Sequence, residues 1–226
     1  SCKMTVNLLA INIGNTHTWS GTYVDDELVA SNRFENRSPQ DVGAGIKDAF
    51  GPLQDRSDAV VLLASVAPPA AERLQQVVAE TLGVKLLRVE RDVPIPIGRK
   101  LDPEAIVGED RLLNVAAAYH TLKQSCVVVD AGTTITIDFV DGAGTFHGGA
   151  IGPGVQMMLE SMHRYTAQLP EVEFTAPEEP IGHNTTQAMC SGVFHGLRGM
   201  VRELVEHYAE QVGSYPMVVA TGENAE

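Results

Sequence analysis

The chain of 226 residues has few cysteines, few basic residues and no long apolar run. Its three cysteines, Cys2, Cys126 and Cys190, form no disulfide framework and have no metal-ligand spacing, so we expect reduced thiols and a cytoplasmic protein. No apolar run approaches the roughly 20 residues of a membrane-spanning helix, and the first residues lack the apolar core of a signal peptide. We therefore expect no membrane association.

Acidic residues outnumber basic ones by 29 to 16, which gives a formal net charge of −13. Because nucleic acids are polyanions, this balance argues against a nucleic-acid partner. An anionic substrate would be repelled at long range, so its site would have to supply local hydrogen-bond donors. The 44% of apolar residues indicates an ordinary globular protein.

Alternation of apolar and polar residues over 8–34 predicts three consecutive strands. Trp19 and Tyr23 lie on one face of the second strand and are predicted to be in the core. The continuous apolar run 59–66 predicts a buried parallel strand. Helices are predicted over 39–50, 69–83 and 103–123.

Residues 125–150 repeat the opening segment as strand, glycine turn, strand, turn and strand. Asn12 aligns with Asp130, and the turn Gly14-Asn15-Thr16 aligns with Gly132-Thr133-Thr134, at an offset of 118 residues. The alternative, that any two β-meanders look alike, stays open.

The offset is about half of the chain and predicts a duplicated α/β fold. We expect an N-terminal half of residues 1–118 and a C-terminal half of residues 119–226. Each half would open in a three-stranded antiparallel meander, with a cleft between the halves.

The two glycine turns indicate phosphate binding. A glycine lets backbone N–H groups approach phosphate oxygens, and threonine and asparagine side chains add donors. An aspartate at a strand end, as at Asp130, can hold Mg²⁺ directly or through water. A third turn, Thr221-Gly222, follows an apolar strand and would lie near a nucleoside.

The order of these motifs resembles that of the type III pantothenate kinase family, within the superfamily of acetate and sugar kinases, Hsp70 and actin. The matching residues span nearly the whole chain: Gly14-Asn15-Thr16, Ser65-Val66-Ala67-Pro68, Gly108-Glu109-Asp110-Arg111, Asp130-Ala131-Gly132-Thr133-Thr134, Gly148-Gly149-Ala150-Ile151-Gly152-Pro153-Gly154, Thr166-Ala167-Gln168-Leu169-Pro170 and Thr221-Gly222. The resemblance implies duplicated actin-like (RNase H-like) domains with mixed sheets and a nucleotide cleft between them. It also implies ATP-dependent phosphorylation of pantothenate to 4′-phosphopantothenate, the first step of coenzyme A biosynthesis.

The resemblance implies roles for five residues at the pantothenate site. Asp110 would be the catalytic base that accepts the hydroxyl proton, and Arg111 would bind the substrate carboxylate. Gly108, Lys100 and Thr185 would also contact pantothenate. The alternative for Asp110 and Arg111 is a solvated charged helix start, and for Thr185 it is a helix cap.

The resemblance also implies an ATP site, a metal and a second subunit. Asp130 would hold Mg²⁺, and a monovalent cation, K⁺ or NH₄⁺, would be required. A homodimer would complete the pantothenate pocket, with residues 157–170 as candidate interface. The ATP-binding residues would be Asn12, Gly14, Asn15, Thr16, Gly132, Thr133, Thr134, Thr221 and Gly222.

Three positions depart from the family pattern. Asn12 stands where the family has an aspartate, so one negative charge near Mg²⁺ is absent. Lys100 stands where a tyrosine usually lines the pantothenate pocket, and a lysine there could pair with a carboxylate or a phosphate or lie in solvent. The last turn reads Gly222-Glu223 instead of Gly-Gly, and the family continues past Glu226, so the C-terminal end is expected to be truncated or divergent.

Two other functions stay open. One is a catalytically weakened or inactive family member that acts as a binding or regulatory accessory protein, which Asn12 favours. The other is a different kinase or phosphatase of the superfamily, against which the GEDR and TAQLP motifs argue. The presence of Asp110, Arg111 and Asp130 together favours the enzyme.

Overall fold

We describe a computed structural model of the chain for residues 5–14, 17–36, 39–65, 72–73, 76, 80, 82–84 and 86–225. Contacts between residues divide the chain into two compact units. The first unit contains Ser1–Pro96 and Val107–Asp110, and the second contains Ile97–Ile106 and Arg111–Glu226.

The first unit contains a mixed five-stranded sheet in the order β3-β2-β1-β4-β5. Strands β1, β2 and β3 form an antiparallel meander, and β4 pairs in parallel with both β1 and β5. The strands are β1 Leu8–Ile13, β2 His17–Val24, β3 Glu27–Glu35, β4 Val60–Ser65 and β5 Leu86–Arg88. Helix α1 is Pro39–Phe50, as predicted, and a 3₁₀ turn follows at Gly51–Leu53. The helix predicted over 69–83 lies largely outside the described residues.

The core of this unit lies between one face of the sheet and α1. Leu9, Ile11 and Ile13 alternate along β1 and are at most 2% exposed. They belong to the same buried cluster as Val42 and Ile46 of α1. A strand with period-two burial against an amphipathic helix is the arrangement that the alternation predicts.

The prediction that Trp19 lies in the core is wrong. Its side chain is 44% exposed, and the Arg33 guanidinium lies 5.3 Å from its ring centre. The register pairs Ile11 with Ser20 and Leu9 with Thr22, so the polar residues of β2 face the core. The buried Thr22 hydroxyl donates to the Ala49 carbonyl at 2.8 Å, which makes its burial tolerable.

The second unit contains another mixed five-stranded sheet, in the order β10-β7-β8-β9-β6. Strands β7, β8 and β9 form an antiparallel meander, and β10 pairs in parallel with β7. The strands are β6 Gly98–Arg99, β7 Cys126–Ala131, β8 Thr134–Val140, β9 Thr145–Pro153 and β10 Met217–Thr221. The helices are α2 Glu109–Leu122, whose first two residues belong to the first unit, α3 Val155–Tyr165 and α4 Thr185–Val212.

Two helices cover opposite faces of this sheet. Val127, Val129 and Ile137 pack against α4 in one buried cluster. Asp130 and Asp138 point to the other face, where they contact side chains of α2. The sheet therefore buries apolar residues on one face and presents carboxylates on the other.

Helix α2 begins six residues later than the predicted start at residue 103. Residues 103–108 form a turn, closed by a bond from the Ala105 N–H to the Asp102 carbonyl, and irregular backbone. The β-branched Ile106 and Val107 and the following glycine are poor helix formers, so the helix starts only at Glu109.

The two meanders confirm the predicted duplication, but beyond the glycine turn equivalent residues are no longer 118 positions apart. Asn12 and Asp130 are the second-last residues of β1 and β7. The first turn closes with a bond from Gly14 N–H to the His17 carbonyl, and the second with one from Gly132 N–H to the Thr134 carbonyl. The first turn is thus one residue longer, and His17, not Thr16, corresponds to Thr134.

The α/β class with two mixed sheets, each opening in a meander, is confirmed. The boundary between residues 118 and 119 falls inside α2 and stays a prediction. None of the helices among the described residues has both the length and the apolar character needed to span a membrane.

Candidate active site

The Asp130 carboxylate, near the end of β7, is contacted by helix α2 and by two glycine turns. Asn114 Nδ2, on α2, donates to Asp130 Oδ2 at 2.8 Å. Asp130 Oδ1 faces two glycine turns, because a Cβ added at Gly222 would lie 2.6 Å from it and one at Gly132 would lie 3.9 Å from it. One carboxylate oxygen is therefore fixed by the helix, and the other lies against the two glycine turns.

The turn after β10 requires a glycine. Gly222 has φ +98°, and a Cβ there would also lie 2.7 Å from the backbone N and C of Ala131. The Asn224 N–H donates to the Ala131 carbonyl at 2.9 Å, so the turn folds over the end of β7. Both the backbone conformation and the close approach exclude a side chain at position 222.

The turn at Gly132 and Thr133 packs against Gly154, at the end of the GGAIGPG segment. The Gly154 N–H donates to the Thr133 carbonyl at 3.1 Å, and a Cβ at Gly154 would collide with the Gly132 carbonyl. The side chains of Thr133 and Thr134 are exposed. Gly154 thus supports the predicted phosphate turn, a role that the sequence pattern did not identify.

The corresponding turn of the first unit is held by Asn36. Its Nδ2 donates to the Gly14 carbonyl at 2.8 Å, and its Oδ1 accepts from the Thr18 hydroxyl at 2.7 Å. Asn12 is half-buried on β1 and lies between Trp19 of β2 and Ala64 of β4. Asn15 and Thr16 lie outside the described residues.

The acidic start of α2 is anchored rather than simply solvated. The Ser65 N–H, at the end of β4, donates to Glu109 Oε2 at 3.0 Å. Asp110 is half-buried, and a Cβ at Gly108 would collide with its Oδ1. The carboxylate of Asp110 therefore folds back against Gly108 and occupies the space where a side chain at residue 108 would begin. Carboxylates in the first turn are also favoured by the helix dipole.

Arg111 forms a largely buried ion pair with Asp138, which no residue pattern had predicted. Its Nε donates to both oxygens of Asp138, at 3.2 and 3.1 Å, and its Nη2 donates to Oδ1. Asp138 is 1% exposed. Asp138 faces the same side of the sheet as Asp130, since the register pairs Asp138 with Val128 and Asp130 with Thr136.

Lys100 lines a cavity of about 430 Å³ in the second unit. The motif glycines Gly148 and Gly149 border the same cavity, together with His147 and Tyr208. Burial raises the pKa of the Tyr208 phenol, and the charge of Asp138 raises it further, so the phenol stays protonated at neutral pH. The cavity thus combines the lysine side chain with a protonated phenol, which suits an anionic or polar ligand.

Thr185 is not the cap of its helix. The N-cap of α4 is Asn184, whose Oδ1 accepts from the Gln187 N–H at 2.9 Å. Gln187 Oε1 in turn accepts from the His183 N–H at 2.9 Å, which completes a reciprocal cap. Thr185 is therefore the first helical residue, and its exposed side chain does not serve as the cap.

The donor set near Asp130 fits a hydrated divalent cation. Among the described residues there is no group of three or more His, Cys, Asp or Glu side chains that could hold a metal ion. Mg²⁺ commonly keeps several waters and binds through one or two carboxylates and the phosphates of its substrate. A single oriented carboxylate next to open glycine turns meets that requirement.

Comparison with known proteins agrees with these features. The family model of type III pantothenate kinase matches residues 8–207. The type III pantothenate kinase of Rhodospirillum rubrum is 37% identical over 222 residues, which cover 95% of this chain and 86% of the relative. That of Brevibacillus brevis is 33% identical with the same coverage.

This chain belongs to the type III pantothenate kinase family.

Solved structures with similar folds are more distant in sequence. A Campylobacter jejuni protein described as a Baf-family transcriptional activator gives a TM-score of 0.54 at 19% identity, covering 87% of this chain and 78% of that chain. MreB5 of Spiroplasma citri, solved with ADP, gives 0.50 at 11% identity, covering 97% and 85%. At these identities the likeness concerns the fold alone, and the actin-like fold class is confirmed.

The structure shows contacts that hold the motif residues of the type III pantothenate kinase family in place. Asn114, Asp138, Asn36 and Glu109 are polar residues that hold the motif residues and were not predicted as site residues. Each acts through a contact between separate elements, which a single sequence does not display. The functions of the motif residues themselves stay predictions.

Proposed function

We propose that this chain transfers the γ-phosphoryl group of ATP to the hydroxyl of pantothenate and forms 4′-phosphopantothenate, the first step of coenzyme A biosynthesis. Membership of the type III pantothenate kinase family supports the proposal. The observation that carries it is the Asp130 carboxylate, oriented by Asn114 and set against the glycine turns at 132 and 222. Oriented carboxylates beside glycine turns suit a cation bound to phosphate.

On the nucleotide side, backbone N–H groups and hydroxyls bind the phosphates. The second turn contributes Gly132, Thr133 and Thr134, whose two threonine side chains are exposed. Bound Mg²⁺, held by Asp130, would neutralise charge on the phosphate oxygens. Asn12 and the turn Gly14-Asn15-Thr16 contribute further donors, and Thr221-Gly222 lies at the nucleoside.

On the acceptor side, Asp110 accepts the proton of the pantothenate hydroxyl. The hydroxyl oxygen bonds to the γ-phosphorus while the bond from that phosphorus to the bridging oxygen breaks, and ADP leaves with the electron pair. Gly108 leaves the space that the Asp110 carboxylate occupies. Arg111 binds the pantothenate carboxylate.

Lys100 and Thr185 stay predicted contacts of the substrate. The cavity that Lys100 lines contains Phe139 and Tyr208 and so lies on the α4 face of the sheet, opposite to Arg111.

We also propose a monovalent cation, K⁺ or NH₄⁺, a homodimer and a cytoplasmic location. The cation is proposed on the family resemblance alone, and no residue is assigned to it. The dimer is supported by exposed apolar side chains on α3, where Met157 is 41% and Tyr165 is 83% exposed. Sedimentation at micromolar concentration checks the dimer, and a monomer there would contradict it.

A coupled assay of ADP release from ATP, with and without pantothenate, tests the reaction. Pantothenate-dependent release by the unaltered chain is expected. Asp110→Asn removes the proton acceptor and should lower the rate by roughly 10²–10⁴-fold. Asp102→Asn, an exposed aspartate eight residues earlier, is the matched control and should keep the rate. Equal rates for Asp110→Asn and the unaltered chain would remove Asp110 from the role of base.

Asn12 favours a second candidate, a weakened or inactive member that acts as a binding or regulatory protein. It occupies the position of Asp130 in the first meander and carries no charge. This candidate predicts ATP binding in calorimetry without pantothenate-dependent ADP release. The same pair of measurements therefore separates the two functions.

A further inference from the structure

Asp138 is a carboxylate in the interior of the second unit. It is 1% exposed, in the middle of β8, and Arg111 engages it through Nε and Nη2. The guanidinium carbon of Arg111 lies 5.8 Å from the centre of the Phe146 ring. Asp138 therefore holds one edge of the guanidinium, and the guanidinium lies over the Phe146 ring.

The strand next to Asp138 leaves room for this pair. Gly149, in β9, lies directly opposite Asp138. A Cβ at Gly149 would lie 2.7 Å from Asp138 Oδ1 and would collide with the Ile137 carbonyl. The backbone of β8 therefore requires a glycine at position 149, and the Asp138 carboxylate lies in the space that this glycine leaves.

Packing alone is a poor explanation for the pair. Removing a carboxylate and a guanidinium from water costs more than their attraction returns unless the geometry is good, and apolar side chains often fill such a site at least as well. When a carboxylate holds the Nε/Nη2 edge of an arginine, the Nη1/Nη2 edge of that guanidinium has a fixed orientation. Arg111 directly follows Asp110, so this orientation is set beside the proposed base.

We propose that Asp138 is a positioning residue that holds Arg111 so that its Nη1/Nη2 edge receives the carboxylate of pantothenate. The inference rests on the proposed function. Arginine has five N–H donors in a planar fork and can engage two carboxylates through two different edges. Asp138 takes the Nε/Nη2 edge. A second carboxylate must then approach the adjacent edge in the same plane.

Calorimetry with pantothenate, with pantothenol and with ATP tests the role of Asp138. Pantothenol carries a hydroxymethyl group in place of the carboxylate and therefore reports every contact except the one in question. Asp138→Asn should weaken pantothenate binding on the order of tenfold, because the fork is no longer held. Its effect on pantothenol and on ATP should stay within about twofold. Asp102→Asn, which changes an exposed aspartate of the same unit, is the matched control and should leave all three affinities unchanged.

Three results would overturn the inference. An equal loss for pantothenate and pantothenol would give Asp138 a structural role only, and unchanged binding of both would give it none. Tighter pantothenate binding would mean that Asp138 competes with the substrate for Arg111.

Two further arms keep the test decisive. If circular dichroism shows that Asp138→Asn is unfolded, Asp138→Glu is tested in its place. This variant keeps the charge but displaces the guanidinium by the length of one methylene, and we again expect weaker binding of pantothenate but not of pantothenol. A retained preference for pantothenate in Asp138→Glu would overturn the inference. If the unaltered chain neither binds nor phosphorylates pantothenate, both the proposed function and this inference are overturned. If the unaltered chain is active but the Asp138 variant loses pantothenate and pantothenol equally, this inference alone is overturned.

Discussion

Asn114 and Asp130 lie 16 residues apart and are joined by one hydrogen bond, in which Asn114 Nδ2 donates to Asp130 Oδ2 at 2.8 Å. Arg111, three residues before Asn114 on α2, reaches Asp138 on the same face of the sheet. Residues three apart on a helix share a face, so one polar stripe of α2 meets both carboxylates. The helix that begins with the proposed base thus also orients the proposed metal ligand.

Asn114→Ala should raise the Mg²⁺ concentration needed for half-maximal rate, on the order of tenfold. The reason is that hydrogen-bond partners of a metal-binding carboxylate typically contribute 10–100-fold to metal affinity. The measurement is a titration of ADP release against Mg²⁺ at saturating ATP and pantothenate. Thr121→Ala, exposed on the same helix, is the control and should keep the Mg²⁺ dependence. An unchanged titration for Asn114→Ala would mean that Asp130 keeps its orientation without this bond.

Gly222→Ala should lose ATP binding and lower the melting temperature. The added Cβ would meet Asp130 Oδ1 and the Ala131 backbone, in a conformation at φ +98° that strains any other residue by about 1–3 kcal/mol. Calorimetry with ATP and a thermal melt measure the two effects. Gly142→Ala is the matched control, because a Cβ there meets nothing within 4 Å. Unaltered ATP affinity in Gly222→Ala would remove this turn from the nucleotide site.

The hydrogen-bonded carboxylate of Asp141 should make stability depend on pH in acid. Burial, the largest single influence, raises the pKa of Asp141, but hydrogen bonds from His147 and from the Thr145 and Ala143 N–H groups outweigh it and lower the pKa. A lowered pKa means that the folded state favours the charged carboxylate. The charge of Asp141 therefore adds to the free energy of unfolding at pH values above the unfolded pKa of about 3.9. This stabilisation is lost as the pH falls below that value.

Thermal melts of the unaltered chain and of Asp141→Asn measure this effect. At pH 7 the variant should melt at a lower temperature, and the difference should shrink as the pH falls below about 4. A difference that stays constant from pH 7 to pH 3 would contradict the assignment to the Asp141 charge.

The elements that could be predicted are those with a strong local pattern. The alternation over β1 to β3, the glycine after β1 and β7, and helix α1 all follow from neighbours in the sequence. The exposure of Trp19 could not be predicted, because either face of β2 could be buried and the register with β1 decides which. Helix α2 was placed too early because its amphipathic pattern continues into residues that lack helix propensity.

For the site, the motif residues could be predicted and their supports could not. Glycines and aspartates at strand ends indicate phosphate and metal chemistry from residue type alone. The contacts from Asn114 to Asp130 and from Arg111 to Asp138 depend on how α2 crosses the sheet. The space at Gly149 and Gly154 likewise depends on which strand or turn lies opposite. Such relations arise from tertiary packing, which residue spacing in one sequence does not specify.

Asn12→Asp should strengthen the use of Mg²⁺–ATP and raise turnover. Asn12 and Asp130 are equivalent second-last residues of β1 and β7, and the new carboxylate would restore the missing charge at the first phosphate turn. If instead another group or ion supplies that charge, the carboxylate would crowd the γ-phosphate, and activity would fall. A titration of rate against Mg²⁺ for both forms distinguishes the two, since they differ in sign. No change in either the rate or its Mg²⁺ dependence would show that the side chain at position 12 does not reach the metal, and the first phosphate site would then be misplaced.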